Sequence, residues 1–278
     1  MKRHAVSHVR PLLLLLALAF LAACTGAPTA PGAPAAGEAP TGTLTVFAAS
    51  SLTGAFSALG KTFEAEHQGV TINFSFANAQ QLGTQIAEGA PADVFATALQ
   101  DHMDLAIRSG RIDPEAVTVF ARNRIVVVTP ADNPGNVTSL HDLARPGLRL
   151  VLADQAAAAG QYALSFLDKA SALPEYGADY RERVLANVRS YEDSVRATFT
   201  KVLLGEADAG IVFSTDPANE RDRVLVLEIP AELNTIAEYP IALLNDAANP
   251  ALARAFIDFV LAPRGQAILS SYGFQQVN

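Results

Sequence analysis

The chain has 278 residues, of which 50% are apolar and 17% are charged, and it contains one Cys and no Trp. This apolar share supports a sizeable core and excludes a disordered or fibrous protein, while a single Cys excludes a disulfide scaffold and any Cys-rich metal site. The formal net charge of −8, without any Lys/Arg-rich run, argues against a protein that binds nucleic acid.

Residues 1–23 have the pattern of an export signal. Three basic residues precede an apolar stretch from Leu12 to Ala23. This stretch is too short to span a bilayer as a helix. Small residues stand directly before Cys24, as in a bacterial lipobox, so we expect a lipid on Cys24; the alternative is ordinary signal cleavage beside a Cys without a role. Removal of the signal takes away three basic and no acidic residues, which changes the formal net charge from −8 to −11.

Residues 24–42 are rich in Ala, Pro, Gly and Thr and nearly uncharged. They lack the large apolar residues that a core requires, so we predict a flexible tether. The 236 residues from 43 to 278 fit one large domain or two modest lobes.

The rest of the chain alternates between strand-like and helix-like patterns. Short apolar, β-prone runs predict strands at 44–49, 70–76, 93–97, 125–130, 148–153, 208–213, 224–229 and 236–244. Apolar residues at helical spacing predict helices at 51–66, 80–88, 100–109, 161–172, 175–186, 192–204, 250–262 and 264–271. This order predicts an α/β fold with mostly parallel sheets, in which ligands bind beyond the carboxyl ends of strands, near helix N-termini.

Four of the predicted strand-to-helix turns carry small or polar residues, at 47–53, 76–82, 154–162 and 190–196. Ser50 or Ser51 is expected as a helix N-cap, and Ser190 with Asp193 has the spacing of a capping box. A helix start leaves unpaired backbone N–H groups and a positive dipole end, which attract anions. One such turn is no more than an ordinary cap, but four together predict an anion-binding site.

Enzymatic signals are weak, and no catalytic residue is assigned. The chain has no nucleophile elbow, Walker loop or dinucleotide-binding glycine motif. His67, His102 and His141 lack the short spacing of metal ligands, so no metal site is predicted; His102 is expected on the solvated face of a surface helix. Arg196 is expected to form a salt link with a neighbouring acid.

Five motifs in a fixed order carry a family resemblance. They are Val46-Phe-Ala-Ala-Ser-Ser-Leu-Thr53, Gln81-Leu-Gly-Thr-Gln-Ile-Ala-Glu-Gly-Ala-Pro-Ala-Asp-Val-Phe95, Glu192-Asp-Ser-Val-Arg196, Ala209-Gly-Ile-Val-Phe213 and Tyr239-Pro-Ile241. With them the chain resembles the substrate-binding component of bacterial molybdate ABC transporters, from residue 43 to the C-terminal end.

The resemblance implies a two-lobed periplasmic-binding-protein fold of type II, with two mixed or parallel sheets joined by a two-strand hinge. Lobe one would comprise 43–123 and 234–278, and lobe two 124–233. The implied ligand is molybdate or tungstate, with no cofactor, and the implied partner is an ABC permease. The protein would be a monomer outside the cytoplasm, held to the membrane by its lipid.

The resemblance also places the ligand contacts at five positions, which are Ser51, Ala79, Ala159, Val195 and Phe213. The family normally offers a hydroxyl where this chain has Ala79 and Phe213, so the sequence leaves Ser51 as the clear hydroxyl donor. Asn78, Ser214 and Thr215 are candidate substitutes. Two alternatives stay open, namely the same fold with another oxyanion or a small organic acid as ligand, and an exported enzyme.

Overall fold

The computed structural model describes residues 41–277. The predicted export signal, Cys24 and nearly all of the predicted tether lie outside the described residues. Among residues 41–277, no helix has both the length and the hydropathy needed to cross a bilayer.

Ten strands and eight α-helices make up the described part of the chain. The strands are β1 (Gly42–Ala49), β2 (Val70–Ala77), β3 (Val94–Ala96), β4 (Thr118–Asn123), β5 (Ile125–Pro130), β6 (Leu150–Ala153), β7 (Val188–Glu192), β8 (Ala209–Phe213), β9 (Val224–Glu228) and β10 (Ala237–Leu243). The helices are α1 (Thr53–Glu66), α2 (Ala79–Ala87), α3 (Gln100–Arg108), α4 (Ala158–Ser171), α5 (Tyr180–Leu185), α6 (Val195–Leu203), α7 (Pro250–Leu261) and α8 (Pro263–Ser271).

The first sheet has the order β2-β1-β3-β10-β4. Strand β1 pairs in parallel with both β2 and β3, whereas β10 runs antiparallel to β3 and β4. Because β1 and β2 are parallel and in register from Gly42↔Val70 to Ala49↔Ala77, their carboxyl ends meet at the same edge of the sheet. The turns that follow them therefore lie side by side.

The second sheet has the order β7-β6-β8-β5-β9. Strand β6 is parallel to β7 and β8, and β5 is antiparallel to β8 and β9. The carboxyl ends of β6, β7 and β8 thus share one edge, from which the chain leads towards α4, α6 and the turn after Phe213.

The chain passes between the sheets twice. Only Arg124 separates β4 of the first sheet from β5 of the second, and residues 229–236 lead from β9 back to β10. Two mixed sheets with two crossings confirm the predicted α/β architecture, but the sheets are not mostly parallel as the element order predicted, because β10 and β5 each pair antiparallel with both neighbours. Strand β1 begins at Gly42, one residue before the predicted start of lobe one.

Helices close over the sheets through apolar faces at helical spacing. In α1, Phe56, Leu59 and Phe63 are fully buried, and the ring of Phe56 packs against those of Phe74, Phe120 and Phe256 at centroid distances of 5.5–6.2 Å. Aromatic rings in such edge-on or tilted contacts contribute beyond their buried area. This cluster ties α1 and α7 to the first sheet.

Two helix predictions are wrong in detail, and two strands were not predicted. The helix expected at 175–186 extends only over α5, and the helix expected from Glu192 begins at Val195, because strand β7 takes residues 188–192. Neither β7 nor β4 was predicted. Strand β7 is an edge strand whose residues alternate between half-buried and exposed, so it lacks the apolar run that identified the central strands.

The capping prediction for Ser190 and Asp193 is also wrong. Ser190 lies within β7, and Ser194 is the N-cap of α6, accepting a hydrogen bond of 3.3 Å from Ala197 N–H. A capping box does occur at Ser139 and Asp142, on a short 3₁₀ turn. Backbone hydrogen bonds to the Asp142 carboxylate hold its pKa below the usual range.

Candidate anion-binding site

Four turns converge on one small cavity between the two sheets. Its walls come from residues 49–51 after β1, 78–79 after β2, 157–159 at the start of α4 and 194–195 at the start of α6, together with Ala98 and Phe213. All five residues predicted to contact the ligand line this cavity: Ser51, Ala79, Ala159, Val195 and Phe213. The convergence follows from the parallel strands, whose carboxyl ends open towards the same cleft.

The turns that line the cavity carry unpaired backbone donors. Among the described residues, the N–H groups of Ser51, Ala79, Ala159 and Val195 have no protein acceptor, as expected for the first turn of a helix. Helices α2, α4 and α6 also bring their positive dipole ends to the cavity. The site thus presents neutral donors and partial positive charge, and within the described residues no Lys or Arg lines it.

The hydroxyl of Ser51 is not used as a helix cap, contrary to the prediction. The chain makes a 3₁₀ turn over Ser50–Leu52 before α1 begins, with no side-chain cap on either. The prediction failed because this extra turn moves both serines away from the capping position. Ser51 Oγ instead accepts a hydrogen bond of 3.2 Å from the hydroxyl of Tyr239.

Asn78 serves two elements at once. Its side-chain oxygen caps α2 by accepting from Gln80 N–H at 2.9 Å, and its Nδ2 donates to the carbonyl oxygen of Asp193 at 2.8 Å. The amide is therefore already paired on both sides. It fixes the position of the α2 N-terminus against the turn that starts α6.

Ser214 and Thr215, proposed above as substitute donors, do not line the cavity. Ser214 Oγ donates to Asn123 Oδ1 at 2.9 Å, and Asn123 Nδ2 donates to Thr215 Oγ1 at 2.9 Å. The hydroxyls of Ser214 and Thr215 thus form hydrogen bonds with Asn123, next to the crossing between the sheets.

Two aromatic rings pack against Phe213 behind the cavity wall. The Phe213 ring is almost fully buried and lies 5.9 Å from the ring of Tyr162 and 5.8 Å from that of Tyr239. The Phe213 N–H donates to the Asp216 carboxyl at 2.9 Å. Burial raises the pKa of Asp216 to about 7, so this acid near the cavity is largely protonated below neutral pH.

A larger cavity of about 220 Å³ adjoins the first and shares Ser50 and Ser51 with it; Arg196, Asp216 and Glu220 also line it. The expected salt link of Arg196 is absent from residues 41–277. Its guanidinium lies instead 5.6 Å from the centre of the Phe199 ring, one turn along α6, where it makes a cation–π contact.

The cavity lined by the predicted residues measures about 20 Å³, which is close to the space that one water molecule needs. A tetrahedral oxyanion is larger. The walls would therefore have to separate to admit such a ligand and then adjust around it.

Sequence reasoning missed three residues around the site. Asn123 and Tyr239 form a buried hydrogen-bonded chain to Ser51; the Tyr239-Pro-Ile241 motif was noticed only for its resemblance. His102 is buried rather than solvated, and burial lowers its pKa. Within 41–277, no cluster of three or more His, Cys, Asp or Glu side chains has the geometry to hold a metal ion.

The chain is similar in sequence to known bacterial binding proteins. The family model for bacterial extracellular solute-binding proteins matches residues 44–275. The molybdate-binding protein ModA of Mycobacterium tuberculosis is 36% identical over 231 residues, which cover 83% of this chain and 84% of that protein.

Two solved structures share the fold. The periplasmic molybdate-binding protein of Azotobacter vinelandii matches with a TM-score of 0.70 and 21% identity, covering 84% of this chain and 100% of that chain. The sulfate-binding protein SubI of Mycobacterium tuberculosis H37Rv matches with a TM-score of 0.75 and 20% identity, covering 85% and 87%. At these identities the structural matches establish the fold alone.

Proposed function

The chain belongs to the bacterial extracellular solute-binding proteins, among the substrate-binding components of molybdate ABC transporters, and from this premise we propose that it captures molybdate or tungstate in the cavity described above. The family consists of binding proteins, so the chain is not an enzyme and molybdate would be its ligand rather than a cofactor. The observation that carries the proposal is the convergence of four N–H-bearing turns on one cavity.

Neutral donors are sufficient to hold a dianion. Burying an unpaired divalent charge costs tens of kcal/mol, but a hydrogen bond to a charged group returns about 1.5–3 kcal/mol. The four N–H groups and the Ser51 hydroxyl would together contribute roughly 7–15 kcal/mol before ordering costs, and the dipoles of three helices add to this. An acidic protein therefore needs no cationic side chain in the site.

Selection among oxyanions would follow from cavity size and donor polarity. Sulfate is smaller than molybdate and would leave the donors stretched, while protonated phosphate would need an acceptor. A second candidate is the same site with a different oxyanion or a small organic acid as its ligand. The observation that favours it is the absence of a hydroxyl at Ala79 and Phe213, both of which line the cavity.

Ligand capture would close two lobes over the anion. We assign residues 43–123 and 234–278 to lobe one and 124–233 to lobe two, in agreement with the strands of the two sheets. The hinge would then lie at Arg124 and within 229–236, where the chain crosses between the sheets. Closure of this kind is common in binding proteins of two lobes.

Delivery to the transporter would take place outside the cytoplasm. Cleavage before Cys24 and attachment of lipid there would hold a monomeric protein at the membrane surface, with residues 24–42 as the tether to its ABC permease. Replacement of Cys24 by Ala should release the protein from the membrane fraction, as detected by fractionation and by loss of labelled fatty acid. Retention of both lipid and membrane association would contradict this assignment.

The ligand is tested by isothermal titration of residues 41–278 with molybdate, tungstate, sulfate and phosphate. We expect molybdate and tungstate to bind more tightly than the other two, and Ser51→Ala to weaken both. Tighter binding of sulfate or phosphate would favour the second candidate. Absence of heat with all four anions, confirmed by unchanged melting temperatures, would overturn the proposal.

A further inference from the structure

A buried chain of side-chain hydrogen bonds ends at Ser51. Asn123 Nδ2 donates to the Tyr239 hydroxyl at 3.3 Å, and the Tyr239 hydroxyl donates to Ser51 Oγ at 3.2 Å. We call Asn123, Tyr239 and Ser51 the hydroxyl relay. Asn123 and Tyr239 are completely buried, so water does not compete for the bond between them.

A backbone N–H group determines which atoms of the hydroxyl relay donate and which accept. Arg124 N–H, which can only donate, bonds to Asn123 Oδ1 at 2.8 Å. This fixes the orientation of the Asn123 amide, because its oxygen must face Arg124 and Ser214. The Nδ2 group must therefore face Thr215 and Tyr239.

The orientation of the Asn123 amide determines the direction of the next hydrogen bond, from Tyr239 to Ser51 at the cavity. The Tyr239 oxygen receives a proton from Asn123, so its own proton is directed to Ser51 Oγ. Burial raises the pKa of Tyr239, and the phenol therefore keeps that proton throughout the physiological pH range. Since Ser51 Oγ accepts from Tyr239, the proton of Ser51 points away from Tyr239, and Ser51 lines the cavity.

We propose that Tyr239, held by Asn123, is a positioning residue that makes Ser51 a preoriented hydrogen-bond donor to the bound anion. This inference rests on the proposed function. Bonds in such a chain polarise one another, which strengthens Ser51 as a donor and offsets the hydroxyl missing at Phe213. A fixed donor at Ser51 favours a fully ionised tetrahedral oxyanion over one that must donate a proton there, such as monohydrogen phosphate.

The hydroxyl relay also links the anion to the hinge. Ser51 follows β1 of the first sheet, whereas Asn123 ends β4 at the crossing and donates to Thr215 after β8 of the second sheet. A movement at the crossing that separates Asn123 from Thr215 would alter the same amide that orients Tyr239. The orientation of the donor at Ser51 is thus coupled to the arrangement of the two sheets.

The test is a double-mutant cycle on molybdate affinity, measured by titration calorimetry. Tyr239→Phe should weaken molybdate binding about five- to tenfold, which is less than the loss of a whole charge-assisted hydrogen bond because Ser51 keeps its hydroxyl and loses only its fixed orientation. In a Ser51→Ala background the same change should have no further effect, because Tyr239 acts through Ser51. Tyr180→Phe, which removes a buried hydroxyl bonded to the Leu140 carbonyl oxygen, is the matched control and should leave affinity unchanged.

A selectivity readout separates positioning from general damage. Tyr239→Phe should reduce the ratio of molybdate to phosphate affinity, since Ser51 is then free to turn and accept a proton. Asn123→Asp provides a second variant, because an acceptor in place of Nδ2 should draw the Tyr239 proton away from Ser51 and weaken molybdate in a Ser51-dependent manner. Circular dichroism and melting temperature verify that each variant is folded.

The outcomes distinguish the inference from the proposed function. If the wild type binds molybdate but Tyr239→Phe weakens it equally with and without the Ser51 hydroxyl, the inference is overturned and the proposed function stands. An unchanged molybdate-to-phosphate ratio in Tyr239→Phe would also overturn the inference alone. If the wild type binds none of the oxyanions, the proposed function fails and the inference falls with it.

Discussion

The side chain of Asn78 donates a hydrogen bond of 2.8 Å to the backbone carbonyl oxygen of Asp193, 115 positions further along the chain. Asn78 follows β2 of the first sheet, and Asp193 follows β7 of the second. This bond joins the two sides of the cavity directly beside the first residue of α2 and the start of α6. It would break and re-form each time a ligand enters, if the lobes move as proposed.

Replacement of Asn78 by Ser should weaken molybdate binding about fivefold, with little loss of stability. Serine preserves the N-cap of α2 but is too short to reach Asp193, so one neutral hydrogen bond worth about 1 kcal/mol is lost from the closed form. Titration calorimetry gives the affinity. Asn78→Ala is the control, since it loses the cap as well and should melt earlier; an unchanged affinity in Asn78→Ser would exclude a role of the bond in closure.

Ala79→Ser should strengthen molybdate binding by about tenfold, the equivalent of one charge-assisted hydrogen bond. Ala79 is the first residue of α2 and lines the cavity, so a hydroxyl there can face the anion. Ala79→Cys has a similar volume but a weak donor and should gain little. Equal gains in both variants would indicate a packing effect rather than a hydrogen bond.

Phe213→Tyr is expected to give a similar gain only if the neighbouring aromatic rings make room for its hydroxyl. The ring is packed between Tyr162 and Tyr239, and overpacking a buried site costs typically 1–3 kcal/mol of stability. We therefore expect a lower melting temperature together with tighter molybdate binding. A lower melting temperature without a gain in affinity would show that this position does not direct a hydroxyl to the anion.

Gly160→Ala should damage both the fold of the second sheet and the site. A Cβ at this position would lie 2.6 Å from the Ala153 carbonyl oxygen and closer still to that of Asp154, and backbone cannot yield as a side chain can. The first turn of α4, which carries Ala159, would have to shift. At Gly54 an added Cβ meets the Tyr272 ring at 2.9 Å, and because that contact is with a side chain, Gly54→Ala should cost less stability and less affinity.

We predict that Asp216 makes the free energy of unfolding decrease as the pH rises from about 4 to about 7. Burial raises its pKa to about 7, so in this window the native state holds a proton that the unfolded state has released, and stability falls as pH rises. The total change is on the order of 4 kcal/mol at most. Asp216→Asn keeps an acceptor for Phe213 N–H and should flatten this dependence in urea unfolding measured at several pH values.

The same acid should make anion binding depend on pH. Above about pH 7 the Asp216 carboxylate is ionised and repels a dianion in the neighbouring cavity, so molybdate affinity should decrease as pH rises from 6 to 8. Asp216→Asn should remove most of that decrease. An equal pH dependence in both proteins would assign it to another group.

His102→Leu should stabilise the protein, most of all at acidic pH. The imidazole is buried, and burying a polar group costs free energy that the apolar side chain of Leu avoids. Because burial lowers the pKa of His102, the unfolded state takes up a proton first, and stability is lost as pH falls below about 6.5. Chemical unfolding at pH 5 and pH 8 measures both effects, with Met103→Leu on the same helix as the control.

Local patterns predicted most of the elements but not all. The buried central strands, such as β5 and β8, are continuous apolar runs, and the helices α1 and α3 show regular apolar spacing, so each could be recognised without its neighbours. Strands β4 and β7 contain polar and charged residues and become strands because they pair with β10 and β6. Pairing of this kind leaves no signal within the segment itself.

The amino-acid sequence by itself determined the α/β class, the order of most strands and helices, the small-residue turns and the motifs that mark the family. Those properties depend on residues close together in the chain, where periodicity and turn chemistry act directly. Only the tertiary structure decided that Asn78 bonds to Asp193, that Tyr239 rather than a cap engages Ser51, and that His102 is buried. Each of these depends on the distance between groups that are far apart in the sequence, and that distance is set by the packing of two sheets around one cleft.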